Sequence, residues 1–204
     1  MPSNRWMRLG RLGAALVLLL MALPGCAPFK GGPEAPLLSD AQQSLYALKT
    51  WKVEGRIGVQ AAQDAWQADL YWEHEPAQDR LRLSGPLSQG MVSIVLQKGL
   101  IYINEGQGVS RLSHDPDALL RERLGFTVPL PSLRYWMLGV PDPGQEYTLL
   151  PGEGGAPPGF RQAGWAVRMD HYANVGNVVL PQKLGIQGDK VRLKIIADHW
   201  EIGG

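Results

Sequence analysis

"WKVEGRIGV", residues 51–59, sets Trp51, Val53, Ile57 and Val59 against Lys52, Glu54 and Arg56. Strict alternation marks a strand with one dry and one wet face, because successive side chains on a strand point to opposite sides. Antiparallel sheets present such faces, whereas parallel sheets are covered on both and read as continuous apolar runs. The same period recurs in "WQADLYW" (66–72), where Trp66, Ala68, Leu70 and Trp72 alternate with Gln67, Asp69 and Tyr71. "RLRLS" (80–84), "MVSIVLQ" (91–97), "LIYINE" (100–105) and "GVSRL" (108–112) follow at short intervals. Further strands are expected near 146–150, 160–162, 164–172, 177–187 and 190–200; in "VRLKIIADHW" (191–200) Val191, Leu193 and Ile195 share a face. Twenty-five glycines and 16 prolines supply the turns that so many short elements need.

Three helices interrupt the strands. Ser39, with Gln42 three residues on, fits a capping box ahead of Ala41, Leu45 and Leu48. "DPDALLRERLG" (115–125) has Asp115 to cap, Pro116 at the first helical position and Gly125 past the end, with Leu119, Leu120 and Leu124 as its apolar stripe. In "SLRYWMLG" (132–139) Ser132 is expected to cap, Leu133, Trp136 and Met137 to line one face, and Gly139 to stop the helix. No internal repeat or second apolar segment divides the chain. The pattern predicts a mainly β fold with a helical lid: a single unclosed antiparallel β-barrel of about eleven strands around a hydrophobic cavity, spanning 38–204.

The start of the chain reads as a targeting segment. Arg5, Arg8 and Arg11 precede the apolar "LGAALVLLLMAL" (12–23), too short and wrongly flanked for a membrane span. "LPGC" (23–26) ends on the only cysteine and resembles a lipobox, in which the signal (1–25) is removed and Cys26 acylated. A lone thiol in an exported chain has no disulfide partner. "APFKGGPEAPL" (27–37) reads as a tether, so that 26–37 joins lipid to domain. Without the three leader arginines, 17 basic residues face 19 acidic ones, about −2 in all, which argues against a nucleic-acid partner.

Catalytic chemistry has no constellation here. The four histidines, His74, His114, His171 and His199, are scattered and form no helical zinc pair. Asp170-His171 and Asp198-His199 are adjacent in strands, so their side chains are expected on opposite faces, solvated and separate. "PGEGGAPPG" (151–159) lacks the Lys-Ser/Thr of a phosphate loop. No Gly-x-Ser-x-Gly elbow and no free thiol nucleophile remain once Cys26 is acylated. Apolar bulk is in excess instead: of seven tryptophans all but Trp6 lie beyond the leader, and these either fill a core or wall a pocket. Neither metal nor cofactor is expected.

"LPGC", "WKVEGRIGV", "RLSGPLSQG", "LLRERLGFTVPLPSLRYWMLGVPDP", "GFRQAGWAVRMDHY", "LPQKL" and "VRLKIIADHW", in that order over almost the whole chain, resemble the LolB family of outer-membrane lipoprotein receptors. The resemblance implies a lipid-anchored, monomeric receptor facing the periplasm of a Gram-negative bacterium. It would accept client lipoproteins from a soluble LolA-like periplasmic carrier, shield their acyl chains, and insert them into the inner leaflet of the outer membrane among its phospholipids. Cys26 would carry N-acyl and S-diacylglycerol groups. Trp66, Leu70, Trp72, Ile94, Leu96, Leu120, Leu124 and Trp136 are then candidates for the cavity and lid. The resemblance also bears on "LRLSGPLSQGMV" (81–92), whose turn puts Leu87 between Pro86 and Ser88 although turn tips favour polar residues and glycine. On the residues alone Leu87 either tucks against its sheet or stands exposed. The resemblance implies exposure, with Gly85, Pro86 and Leu87 forming a membrane-insertion loop. Two other classes stay open: a lipid-anchored binding module for a free lipid or fatty acid, and a scaffold whose apolar interior is only core.

Overall fold

A computed structural model describes residues 39–61, 64–85, 90–106, 110–152 and 159–203, with backbone alone at 123–124. The chain divides into two units, Met1–Glu34 and Ala35–Gly204; the described residues all belong to the second. Its strands are β1 (Trp51–Ala61), β2 (Asp64–Glu75), β3 (Gln78–Ser84), β4 (Met91–Gln97), β5 (Leu100–Asn104), β6 (Ser110–Ser113), β7 (Tyr147–Leu150), β8 (Gly159–Gln162), β9 (Trp165–Val175), β10 (Val178–Gln187) and β11 (Val191–Ile202). They form one 11-stranded sheet in the order β6-β5-β4-β3-β2-β1-β11-β10-β9-β8-β7. Every pairing is antiparallel. Two meanders therefore meet at the centre, where the first strand pairs with the last, and β6 and β7 are left as free edges. The barrel is unclosed, as the alternation predicts.

The link between the two edges carries the helices. After α1 (Asp40–Leu45) come α2 (Pro116–Leu124) and α3 (Leu130–Met137), both between β6 and β7. Ser39 makes the expected reciprocal cap with Gln42, and Asp115 caps α2, which ends at Gly125 in the left-handed region (φ 77°). α3 departs from expectation. It begins at Leu130 after Pro129, and Ser132 lies inside it. Pro131, with its fixed φ, is pre-organised for a first turn and starts the helix earlier than a hydroxyl cap would.

Alternation fails informatively in β11. Val191, Leu193, Ile195 and Ala197 are buried, and so is Trp200, which strict period two would turn outward. The register with β1 shifts between Glu54 and Gly55, whose partners are His199 and Ala197, leaving Asp198 as an extra residue. This bulge resets the parity and brings Trp200 into the core. Gly55 is required opposite it, since a Cβ there would fall on the Ile196 carbonyl oxygen. Gly55→Ala is expected to lower stability by about 2 kcal/mol or more through overpacking, read as a lower urea midpoint at unchanged slope.

Around that bulge an aromatic floor closes one end of the interior. Trp51 lies 5.3 Å from Trp72 and 5.6 Å from Trp200. Two of the three indole N–H groups have an acceptor, Trp72 donating to Asp79 Oδ1 (3.0 Å) and Trp200 to the Pro181 carbonyl (3.0 Å). Asp79 Oδ1 also meets His74 Nδ1 at 2.8 Å, so this buried carboxylate is satisfied twice.

α1 is stapled by Tyr46, whose hydroxyl donates to the Pro141 carbonyl at 2.8 Å. Burial, with the nearby Tyr147 and Asp142, pushes the Tyr46 phenol up to about 12. The neutral phenol is thus favoured by folding. Its contribution is intact below the ordinary value of 10.0 and is lost as pH rises from there toward 12. Tyr46→Phe should cost about 1 kcal/mol at neutral pH, and its stability gap to the parent should shrink over that alkaline window. A gap that stays constant in pH-dependent denaturation would contradict the assignment.

Candidate functional site

Between the sheet and the helices lies a hollow of about 50 Å³. Its wall is apolar throughout. The sheet contributes Ile57, Val59, Trp66, Leu70, Trp72, Leu81, Leu83, Ile94, Leu193 and Ile195, and the helical link contributes Leu120, Phe126, Val128, Leu130 and Leu133. The hydrophobic cavity expected from the sequence is present, among the described residues, as this small hollow, whose volume is well below the ~150 Å³ at which an apolar cavity takes up benzene.

Among the residues expected at the cavity, Trp66, Leu70, Trp72, Ile94 and Leu120 border the hollow. Leu96 and Trp136 do not. Leu96 is buried (9% exposed) but pairs with Asp79 and Ile101, at the closed end near the tryptophans. Trp136 is fully buried beside Trp165, 6.3 Å away, and donates its N–H to Gln162 Oε1 at 2.8 Å. The side chain of Leu124, and Cys26, Pro86 and Leu87, lie outside the described residues. Gly85 is described: its N–H donates to the Gly90 carbonyl at 3.0 Å and closes the root of the β3–β4 connection, with Gly90 at φ 76°.

Strand direction places that root. β1 ends and β2 begins at the same end of the sheet as the β3–β4 and β10–β11 turns. The hollow occupies this half of the interior. Leu83, one of its wall residues, pairs with Leu70 and Val92 just below the Gly85–Gly90 closure. An apolar wall thus runs from the hollow to the base of the loop that bears Leu87.

The two helices beside the hollow are held differently. α3 is tied by a buried polar network. Gln162 Oε1 accepts from the Asp142 backbone N–H (2.8 Å) as well as from Trp136, and its Nε2 donates to the carbonyls of Asp142 (2.9 Å) and Gln145 (3.0 Å). Ser132 donates to Asp142 Oδ2 at 2.8 Å. α2 has no comparable polar tie among the described residues. Leu119 and Leu120 bury themselves, Arg121 donates to Thr127, and an exposed Arg111–Glu122 pair at 3.5 Å reaches β6.

Nothing here assembles a reaction centre. No group of three metal-ligating side chains occurs among the described residues. Asp170 and His171 do meet, at 3.1 Å, contrary to the alternation argument. His171 has φ 53°, which turns its side chain back toward its neighbour, but both are exposed. The β2–β3 register pairs His74 directly with Asp79.

The family described as outer membrane lipoprotein LolB matches residues 49–200. The chain belongs to the LolB family. The matched span holds β1 to β10, the whole helical link and β11 except its last two residues. The LolB protein of Nitrosococcus oceani is 28% identical over 200 residues, covering 98% of this chain and 100% of its own. That of Thiobacillus denitrificans is 31% identical over 192 residues, covering 92% and 96%. A solved LolA superfamily protein from Nitrosomonas europaea superposes with a TM-score of 0.46 at 10% identity, over 80% of this chain and 90% of its own. LolB proteins are lipoproteins of the outer membrane and not enzymes.

Proposed function

We propose that the chain is a receptor that takes lipoproteins from a soluble LolA-like carrier and inserts them into the inner leaflet of the outer membrane. One observation carries the reading: the continuous apolar wall from the hollow to the base of the Leu87 loop. A path of that kind suits a hydrocarbon chain moving out of the interior toward a bilayer.

Energetics set what the path must do. A client acyl chain of about 14 methylenes loses on the order of 10 kcal/mol on entering water. It must stay covered throughout transfer, and each step must run downhill. The present hollow is too small for such a chain, so binding requires the helical link to withdraw. α2 is the part that moves, and α3 stays with the sheet through Gln162. Trp66, Leu70, Trp72, Ile94 and Leu120 would then contact the acyl chains. Cys26, acylated, holds the receptor at its membrane, and Gly85, Pro86 and Leu87 carry the insertion step. Leu96 and Trp136 keep the frame rigid.

The test is reconstitution. A labelled lipoprotein bound to the carrier is mixed with the acylated chain in vesicles, and label in the bilayer is followed. Carrier-dependent transfer is expected. Absence of transfer, with free fatty acid bound instead, would replace the receptor by a binding module for small lipids.

A further inference from the structure

The outer face of β8–β11 and β1 is unusual in its charge. One row across it runs Arg161, Ala166, Gln187, Arg192 and Gln60. The next runs Arg168, Gly185, Lys194 and Gly58. Neither row contains a carboxylate. Arg161, Arg192 and Lys194 are exposed, and none makes an ion pair or side-chain hydrogen bond with another described residue. The following row is neutralised, with Lys183 on Asp170 at 3.0 Å and Arg56 on Asp198 at 3.0 Å. On a chain whose mature charge is near −2, an unbalanced basic field on one flank is a local feature.

The glycines beside Lys194 are the second observation. Gly185 and Gly58 flank it directly on the neighbouring strands. A Cβ at Gly185 would meet nothing within 4 Å, and one at Gly58 only the Lys194 carbonyl oxygen at 4.0 Å. Neither packing nor backbone conformation requires glycine there, although glycine weakens a strand interior. Glycine inside a strand marks a bulge, a tight bend or a close approach by a ligand or another backbone, and the register shows no bulge at either position. On the Gly58 side they leave a depression of about 340 Å³, bordered by Lys194, Gln67, Arg56 and Asp69.

We propose that this face docks on anionic phospholipid headgroups, with Lys194 in its glycine-floored trough taking a lipid phosphate and Arg192 and Arg161 adding to the field. The patch reaches the β10–β11 turn, at the end of the sheet that bears the Leu87 loop. Headgroup contact here would set that end against the bilayer. A lipid-anchored protein is always beside such a surface, which favours lipid over an acidic protein as the occupant. The inference rests on the lipid-anchored reading above.

The test uses the chain from residue 26 with Cys26→Ala, so that no acyl group contributes. The whole sheet, its helices and its core lie between Asp40 and Ile202, so this chain keeps the fold. Co-sedimentation is measured with phosphatidylcholine vesicles, with and without phosphatidylglycerol, over a salt series. Binding should need phosphatidylglycerol and fall with salt. Lys194→Gln, Arg192→Gln and Arg161→Gln should each weaken it roughly five-fold. Lys98→Gln, in the turn at the other end of the sheet, should not. Gly58→Leu, which fills the trough without changing charge, should weaken it too. Equal binding to both vesicles, or no effect of the three substitutions, overturns the proposal, as does their weakening carrier capture while vesicle binding is unchanged. A chain that transfers lipoproteins yet binds both vesicles equally loses this patch and keeps the receptor; one that binds through Lys194 yet transfers nothing does the reverse.

Discussion

A Leu87→Glu chain is expected to accept lipoprotein from the carrier and to leave almost none in the bilayer. The root of the β3–β4 connection is closed by the Gly85–Gly90 hydrogen bond, so the pairing below it is expected to persist in the variant. The hollow and its wall are unchanged. What changes is the cost of dipping the loop into lipid. Relative to leucine, a carboxylate in hydrocarbon is disfavoured by about 3 kcal/mol, and the inserted state falls roughly a hundredfold. Carrier-bound label should therefore move onto the receptor at the parent rate and accumulate there. Insertion at the parent rate would remove Leu87 from the mechanism.

Cys26→Ala supplies the opposite phenotype. It leaves the hollow untouched and, on the proposed acylation of Cys26, removes the acyl chains, so the chain should move from the membrane to the soluble fraction while keeping its melting temperature. Retention in the membrane fraction would refute the acylation site. Together the two variants separate where the receptor stands from what it does there.

Period-two patterning made the sheet legible through its longer strands, such as β1, β2, β3 and β10, whereas the short edge strands β6 and β7 show no such alternation of burial. Parity also assigns faces, and this put Trp66, Leu70, Trp72 and Ile94 on the inner side. It does not assign height along the barrel. Leu96 has the parity of Ile94 but lies one step nearer the tryptophan floor, away from the hollow. Parity also fails where a residue is inserted, and "IIADHW" gives no local sign that Asp198 is the extra one. The pairing partner Gly55 is the sign, and it is visible only once the register is known. Phe126, Val128 and Leu130 do alternate in "FTVPLP", but so short a stretch between helices reads as a connector. The structure makes it part of the wall. His74 and Asp79 likewise meet through register across a tight turn. Local chemistry was readable, whereas features created by two strands together were not.

Gln162→Leu should have the largest effect on the fold itself. Gln162 is 2% exposed and makes four hydrogen bonds, two accepted and two donated. Leucine has similar bulk, so the change creates little empty space. It strands the indole N–H of fully buried Trp136 instead, and takes a partner from the backbone groups of half-buried Asp142 and exposed Gln145, which water can reach. A stranded buried group costs about 1–3 kcal/mol, and a total near 3 kcal/mol is expected, a large share of the roughly 5–15 kcal/mol that holds a domain together. Gln162→Glu keeps the acceptor for Trp136 and loses the donor, so it should fall between parent and Leu at a pH where the carboxylate is ionised. Urea unfolding measures all three, and a loss below about 1 kcal/mol for Gln162→Leu would mean that the network contributes little net stability. The same variant probes the division of labour between the helices. If Gln162 is what keeps α3 with the sheet while α2 moves, its loss should free both, and a hydrophobic dye should bind the folded variant more strongly than the parent below the unfolding transition. Dye binding unchanged, with stability reduced, would mean that α3 is held by its apolar face alone.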